Sequence, residues 1–169
     1  MTPLQELNEM SQHDFVRVCG ALFEHSPWIA ERTWPRRPFA SIDELYRALC
    51  ETLFAATHDE QVKLIASHPD LVGRMAREGR LTRESTAEQR AAGLSDLSSE
   101  EVEQFDRYNV AYREKFGFPF VICARENKKA VILAAFPLRL NNTREQEIQT
   151  ALNEICRIAR LRLLDAVTG

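Results

Sequence analysis

The stretch "SSEEVEQFDRYNVAYREKFG", residues 98–117, carries the pattern that decides the fold. Ser98 stands three residues ahead of Glu101, the spacing at which a hydroxyl and an acidic side chain reciprocally satisfy free amides at a helix start. Beyond Ser99, the residues Val102, Phe105, Tyr108, Tyr112 and Phe116 keep helical spacing, which makes one face apolar. Gly117 then ends the run, because a residue without Cβ enters the left-handed conformation that closes a helix. Start, stripe and stop agree on one long amphipathic helix.

The same start signal recurs at "SQHD" (11–14), "SIDE" (41–44) and "TREQ" (143–146), the first being a close relative of the capping box. After Ser41, Leu45, Leu49 and Leu53 repeat the apolar stripe. These signals predict roughly seven to nine helices, and few segments alternate as strands do. The expected class is all-α. At 169 residues with 44% hydrophobic side chains, the chain supports one compact multi-helix domain over residues 1–169. No repeat, low-complexity tract or Pro/Gly/Ser linker interrupts it.

Acidic and basic residues are well mixed, 25 against 22, so no basic face is present to attract nucleic acid or an anionic membrane. The expected partner is a small molecule or another protein. Cys19, Cys50, Cys123 and Cys156 are widely spaced, without a CxxC pair or paired histidines at ligand spacing, which points to reduced thiols and no structural metal. The N-terminal "MTPLQELNEM" has neither basic flank nor apolar core, and "AVILAAF" is too short to span a bilayer. A cytoplasmic location is expected.

The least helical stretches are "PRRPFAS" (35–41), "SHPDLVGR" (67–74) with the following "REGRLT" (77–82), and "FGFPFVICAR" (116–125). Functional groups are often held on such connections between rigid elements. "FPFVI" reads as a short extended piece crossing the core. In "LIASHPDLVGR" (64–74), Pro69 disfavours the α region for the residue before it, so His68 falls at a forced helix end. Leu64 and Ile65 lie four and three positions earlier, placing the imidazole beside an apolar stripe, where a lone histidine by itself reads first as a capping or satisfied core residue.

In "LTRESTAEQRAAGL" (81–94), a helix capped by Thr82 puts Ser85, Glu88 and Gln89 on one face. Ser85 with Glu88 is also a capping-box match, which would start the helix at residue 85 instead. In the last helix, "TREQEIQTALNEICRIARLRLLDAV" (143–167), Ile148, Leu152, Ile155 and Ala159 form the stripe and Arg162 occupies its next position. A guanidinium there either pairs with an internal acid, receives a ligand oxygen or snorkels outward. Arg157 and Arg160 fall on the outer face. Trp28 and Trp34 are candidates for core or interface.

Taken together, "SHPDLVGR", "LTRESTAEQRAAGL", "EKFGFPFVICAR" and "RIARLRL" resemble the 2-oxo-4-hydroxy-4-carboxy-5-ureidoimidazoline (OHCU) decarboxylase family, whose members close the route from urate to (S)-allantoin. The four blocks stand in the family's order and spacing over most of the chain. The resemblance implies an all-α homodimer using no metal or organic cofactor, coupled in function to the preceding 5-hydroxyisourate hydrolase. It implies a catalytic His68 beside Pro69, and Ser85, Glu88 and Gln89 on a site helix. It also implies a segment contacting the substrate ring through Phe118, Val121, Ile122 and Ala124, and a substrate-binding Arg162. Family members from eukaryotes often end in a peroxisomal tripeptide, whereas this chain ends "VTG", and a bacterial, cytoplasmic protein is expected.

The chemistry suits these residue types. The substrate ring carries a hydroxyl and a carboxylate on one carbon beside an imine-like carbon, so loss of CO2 sends its electron pair into the ring itself. A histidine with a carboxylate partner then moves the protons, which assigns His68 and Glu88 as the catalytic pair. Ser85, Gln89 and Arg162 bind the anionic ureido ring. An arginine gripping the leaving carboxylate would stabilise the ground state, so Arg162 is expected to hold a ring or ureido oxygen at least in part. Two other readings stand beside this one: a non-catalytic helical interaction module, and a decarboxylase of a related small ureido acid.

Overall fold

All four start signals read from the sequence cap helices. Ser11, Ser41, Ser98 and Thr143 each accept a hydrogen bond from the amide three residues on, at 3.1–3.2 Å. In the computed structural model, which describes residues 1–169, the chain forms ten α-helices. These are α1 (Leu4–Glu9), α2 (Gln12–Cys19), α3 (Trp28–Thr33), α4 (Ile42–Phe54) and α5 (His58–Ser67), followed by α6 (Arg74–Arg77), α7 (Arg83–Ala91), α8 (Ser99–Phe116), α9 (Lys129–Arg139) and α10 (Arg144–Ala166). The all-α class stands. The count exceeds the expected seven to nine through α1, α3 and α6, which have six residues or fewer and too little length for a periodic stripe to register. The start of α5 is a further capping box, in which Thr57 and Glu60 exchange bonds of 3.0 and 3.3 Å.

The only strands are β1 (Thr2–Pro3) and β2 (Val167–Thr168), paired in parallel with Thr2 opposite Val167. No helix is long and apolar enough to cross a membrane.

The chain divides into two units, Met1–Leu64 with Cys156–Gly169, and Ile65–Ile155. In the first, α3 packs on α2 and α4, burying Phe15, Leu22, Ile29, Leu45, Leu49 and Leu53. Trp28 and Trp34 are half-buried. Each lies under an arginine, Arg32 at 4.6 Å and Arg37 at 4.2 Å, and Trp34 also donates its indole N–H to the Met10 carbonyl.

The second unit is built on aromatic rings. Tyr112 and Phe116 of α8 pack against each other and against Phe118, while Phe120 stacks on Phe136 of α9 with centroids 3.9 Å apart. Gly117 ends α8 in the left-handed conformation, φ 80°, where only glycine is unstrained. Inside this core sits a charged node. Glu147 is fully buried, and Arg139 donates to it through Nε at 2.8 Å; Tyr112 hydrogen-bonds the same carboxylate oxygen, and Asn142 supplies the other at 2.7 Å.

Removing the cation strands that carboxylate in a dry site. Arg139→Met is therefore expected to destabilise the protein by roughly 3–5 kcal/mol, read as a lower urea midpoint at unchanged slope.

Candidate active site

The site begins where α5 stops. The His68 amide reaches back to the Ile65 carbonyl at 3.2 Å, and Pro69 has no N–H with which to continue the helix. The chain then turns through Asp70–Gly73. Val72 adopts φ 56°, rare for a β-branched residue, and a Cβ on Gly73 would lie 2.6 Å from that of Asp70. So tight a loop closes one backbone bond of its own, Gly73 amide to Asp70 carbonyl at 3.3 Å, and side chains satisfy further groups. Gln89 Oε1 accepts from the Val72 amide at 3.0 Å, Asn109 donates to the Leu71 carbonyl at 2.9 Å, and Arg77 donates to the Val72 carbonyl at 3.1 Å. Arg113 pairs with the Asp70 carboxylate at 2.9 Å. His68 itself is 7% exposed.

Helix α7 supplies the second wall. Thr82, not Ser85, is its cap: the Thr82 hydroxyl accepts from the Ser85 amide at 3.2 Å. That settles the choice the sequence left open, and it removes the capping-box role for Ser85 on which the interaction-module reading relied. Ser85, Glu88 and Gln89 share the inward face at 5%, 8% and 7% exposure. A helix that buries three polar side chains where an apolar stripe is usual is a candidate site on physical grounds.

The third wall is the segment between α8 and the 3-10 turn Ala124–Glu126, against which α7 packs. It carries no regular secondary structure and belongs to no sheet. Phe118, Phe120, Val121, Cys123 and Ala124 are buried and Ile122 is half-buried. Arg139 donates to the Val121 carbonyl at 2.6 Å and stacks 4.2 Å over the Phe120 ring, while Glu154 accepts from the Cys123 amide at 2.8 Å. Burial pushes the Cys123 thiol up to about 11, with the carboxylates of Glu126, Glu154 and Glu88 adding to it. Glu88 is thereby placed beside this segment, as Gln89 is beside the loop opened by His68 and Pro69. Arg139 and Glu154 were missed by sequence reading. The available signal was a charged residue within or beside an otherwise apolar helix face.

Arg162 belongs to the other unit. It faces inward at 6% exposure, as its position on the stripe predicts, and donates to the Glu24 carboxylate at 3.1 Å and the Ala21 carbonyl at 3.2 Å. Glu24 is 3% exposed and precedes His25, whose φ is 46°. The internal acid that the sequence allowed for is therefore present, and it orients the guanidinium fork. Arg157 and Arg160 are exposed, as expected.

A cleft of about 450 Å³ also opens in the second unit; its lining includes Val72, Arg77, Gln89, Arg90 and Leu94, but neither His68 nor Glu88.

A helical scaffold that holds a buried histidine at a loop, a buried polar helix face and an aromatic segment is the class of framework that carries a small-molecule site. Residues 8–164 match the OHCU decarboxylase family, and the chain belongs to that family. It is 41% identical over 160 residues to 2-oxo-4-hydroxy-4-carboxy-5-ureidoimidazoline decarboxylase of Halalkalicoccus jeotgali, covering 95% of this chain and 89% of that one. It is 39% identical to the uric acid degradation bifunctional protein PucL of Bacillus subtilis, covering 99% of this chain and 33% of that longer one. Among solved structures, (S)-allantoin synthase superposes with a TM-score of 0.81 at 27% identity, over 99% of this chain and 54% of that one. The chain thus spans about half of that protein and a third of the bifunctional one.

Because Glu24 is buried with Arg162, deleting the guanidinium takes the hydrogen-bonded cation away from a buried carboxylate. Arg162→Met is expected to lower stability by roughly 3–5 kcal/mol, whereas Arg162→Lys, which keeps the charge but loses the planar fork, is expected to melt close to wild type; paired thermal melts measure the difference.

Proposed function

We propose that this protein is a carbon–carbon lyase that decarboxylates OHCU to (S)-allantoin in urate degradation, with residues 1–169 forming one such domain. The observation that carries the reading is the buried polar face of α7, with Gln89 bonded to the very loop that His68 and Pro69 open. Family membership supplies the reaction; that face supplies groups able to perform it.

In this reading the C–COO⁻ bond breaks, its electron pair forms a double bond to the adjacent imine carbon, and the carbon–nitrogen π pair moves onto the ring nitrogen, which takes up a proton. The hydroxyl proton leaves, and a proton is delivered to one face of the neighbouring carbon. His68 moves these protons, and Glu88 orients the imidazole and adjusts its basicity. Ser85 and Gln89 bind the ureido amides; Gln89 spends its amide oxygen on the Val72 amide and one N–H on the Asp70 carbonyl at 3.5 Å, so its second N–H is the donor offered to the ligand. Pro69, Phe118, Val121, Ile122 and Ala124 line the ring. The Val121 and Cys123 backbone groups held by Arg139 and Glu154 leave the intervening residue to face it. Arg162 holds a ring or ureido oxygen, with its fork oriented by Glu24. The ring is its own electron sink, so neither metal nor organic cofactor is required.

A homodimer and a cytoplasmic location belong to the same reading and rest on the family resemblance. The bifunctional relative, whose name places uric acid degradation in one longer chain, supports coupling to the hydrolase that supplies the substrate.

Freshly generated OHCU decays by itself to racemic product, so a growing circular-dichroism signal of one sign reports enzymatic turnover. We expect that signal with wild-type protein after dialysis against a chelator, and a loss of about 10²- to 10⁴-fold in His68→Asn with an unchanged melt. Racemic product from the wild type would refute the activity, and stereospecific product from folded His68→Asn at the normal rate would remove His68 from it. Light scattering at micromolar concentration is expected to give the mass of two chains.

A further inference from the structure

The mechanism leaves two thiols unused that face each other in the first unit. Cys50 lies on α4 and Cys156 on α10, and neither is in a disulfide. On α4, Tyr46 and Cys50 are four residues apart and share a face; on α10, Cys156 and Arg160 do the same. The pairs oppose each other in antiparallel register. The Arg160 guanidinium sits 5.1 Å from the Tyr46 ring centroid and bonds Asp43 at 3.1 Å, one turn before Tyr46. That register sets Cys50 against Cys156, within reach of a thiol–thiol hydrogen bond, with the Tyr46 hydroxyl beside Cys50.

Access differs between the two. Cys50 is half-buried, whereas Cys156 is 6% exposed. Their chemistry differs in the same sense. The bond from Cys156 holds the Cys50 thiol below the ordinary range, helped by Tyr46 and by the charge of Arg160 against opposing burial, while the bond to Cys50 and burial push Cys156 up. The more accessible sulfur is the better nucleophile, and the proton donor behind it is the sulfur placed to resolve it.

We propose that Cys50 and Cys156 are a peroxide-oxidisable thiol pair, a modification site in which Cys50 attacks and Cys156 closes a reversible disulfide. The Cys50 thiolate attacks one oxygen of a hydroperoxide, the O–O bond breaks, and the other oxygen leaves as hydroxide or alkoxide. Cys156 then attacks the sulfur of the resulting sulfenic acid, the S–O bond breaks, and the departing hydroxide takes the Cys156 proton as water. Two thiols and hydrogen peroxide thus give one disulfide and two waters, with two electrons passing from sulfur to peroxide. Cys19 and Cys123 are both buried, and burial pushes Cys19 up to about 12.

The test treats the folded full-length protein with stoichiometric hydrogen peroxide, quenches with an alkylating agent, and measures intact mass and digest. The expected product is lighter by two hydrogen atoms, contains a peptide joining Cys50 to Cys156, and returns to the starting mass with dithiothreitol. In Cys156→Ser the Cys50 sulfenic acid is expected to persist and be captured by dimedone; in Cys50→Ser, Cys156 is expected to stay reduced. The proposal is overturned if another cysteine pair links, if wild-type Cys50 advances to sulfinic acid without the Cys50–Cys156 peptide, or if methionines oxidise while Cys50 remains alkylatable.

Discussion

Two stretches of this helical protein leave the helix and stay buried, and every amide and carbonyl they bury must find a partner outside a regular ladder. That constraint organises the second unit. The loop after His68 takes its partners from Gln89, Asn109 and Arg77, on three different helices or helix ends. The Phe118–Cys123 segment takes its own from Arg139 and Glu154. Each side chain that satisfies the backbone also fixes where the neighbouring functional group stands, so structural and chemical demands fall on the same bonds.

Buried arginines do this work twice. Arg139 joins a backbone carbonyl, Val121, to a buried carboxylate, Glu147; Arg162 joins Ala21 to Glu24. In both cases one planar fork reaches a carboxylate and a carbonyl at once, which a lysine's point charge does less well. Taking such charges out of water is costly, and a pair of this kind contributes less to net stability than to a single defined geometry. That geometry is what a stereospecific proton transfer requires.

The helices were legible because their signals are local. Capping hydroxyls at Ser11, Ser41, Ser98 and Thr143 act on amides three residues away, and the stop at Gly117 acts on its own turn. The Thr57–Glu60 box is equally local and went unread, since no apolar stripe of full length follows it before Pro69. The short α1, α3 and α6 lack the length that makes periodicity visible. Within the candidate site, His68, Ser85, Glu88 and Gln89 were named from spacing and family resemblance, while Glu24, Arg139 and Glu154 were not, because nothing near them in the chain shows what they touch.

By itself, then, the sequence determined the helical class, the ends of the long helices, the forced stop at His68 and the inward aim of Arg162, each a consequence of backbone sterics or a 3.6-residue period. Tertiary structure alone decided that Thr82 rather than Ser85 starts α7, and that Gln89 grips Val72. It alone decided that Glu24 meets Arg162 across more than a hundred residues of chain. The physical reason is range: dihedral preferences and caps act within a turn, whereas the partner of a buried charge or amide is set by whichever distant segment the packed core brings to it.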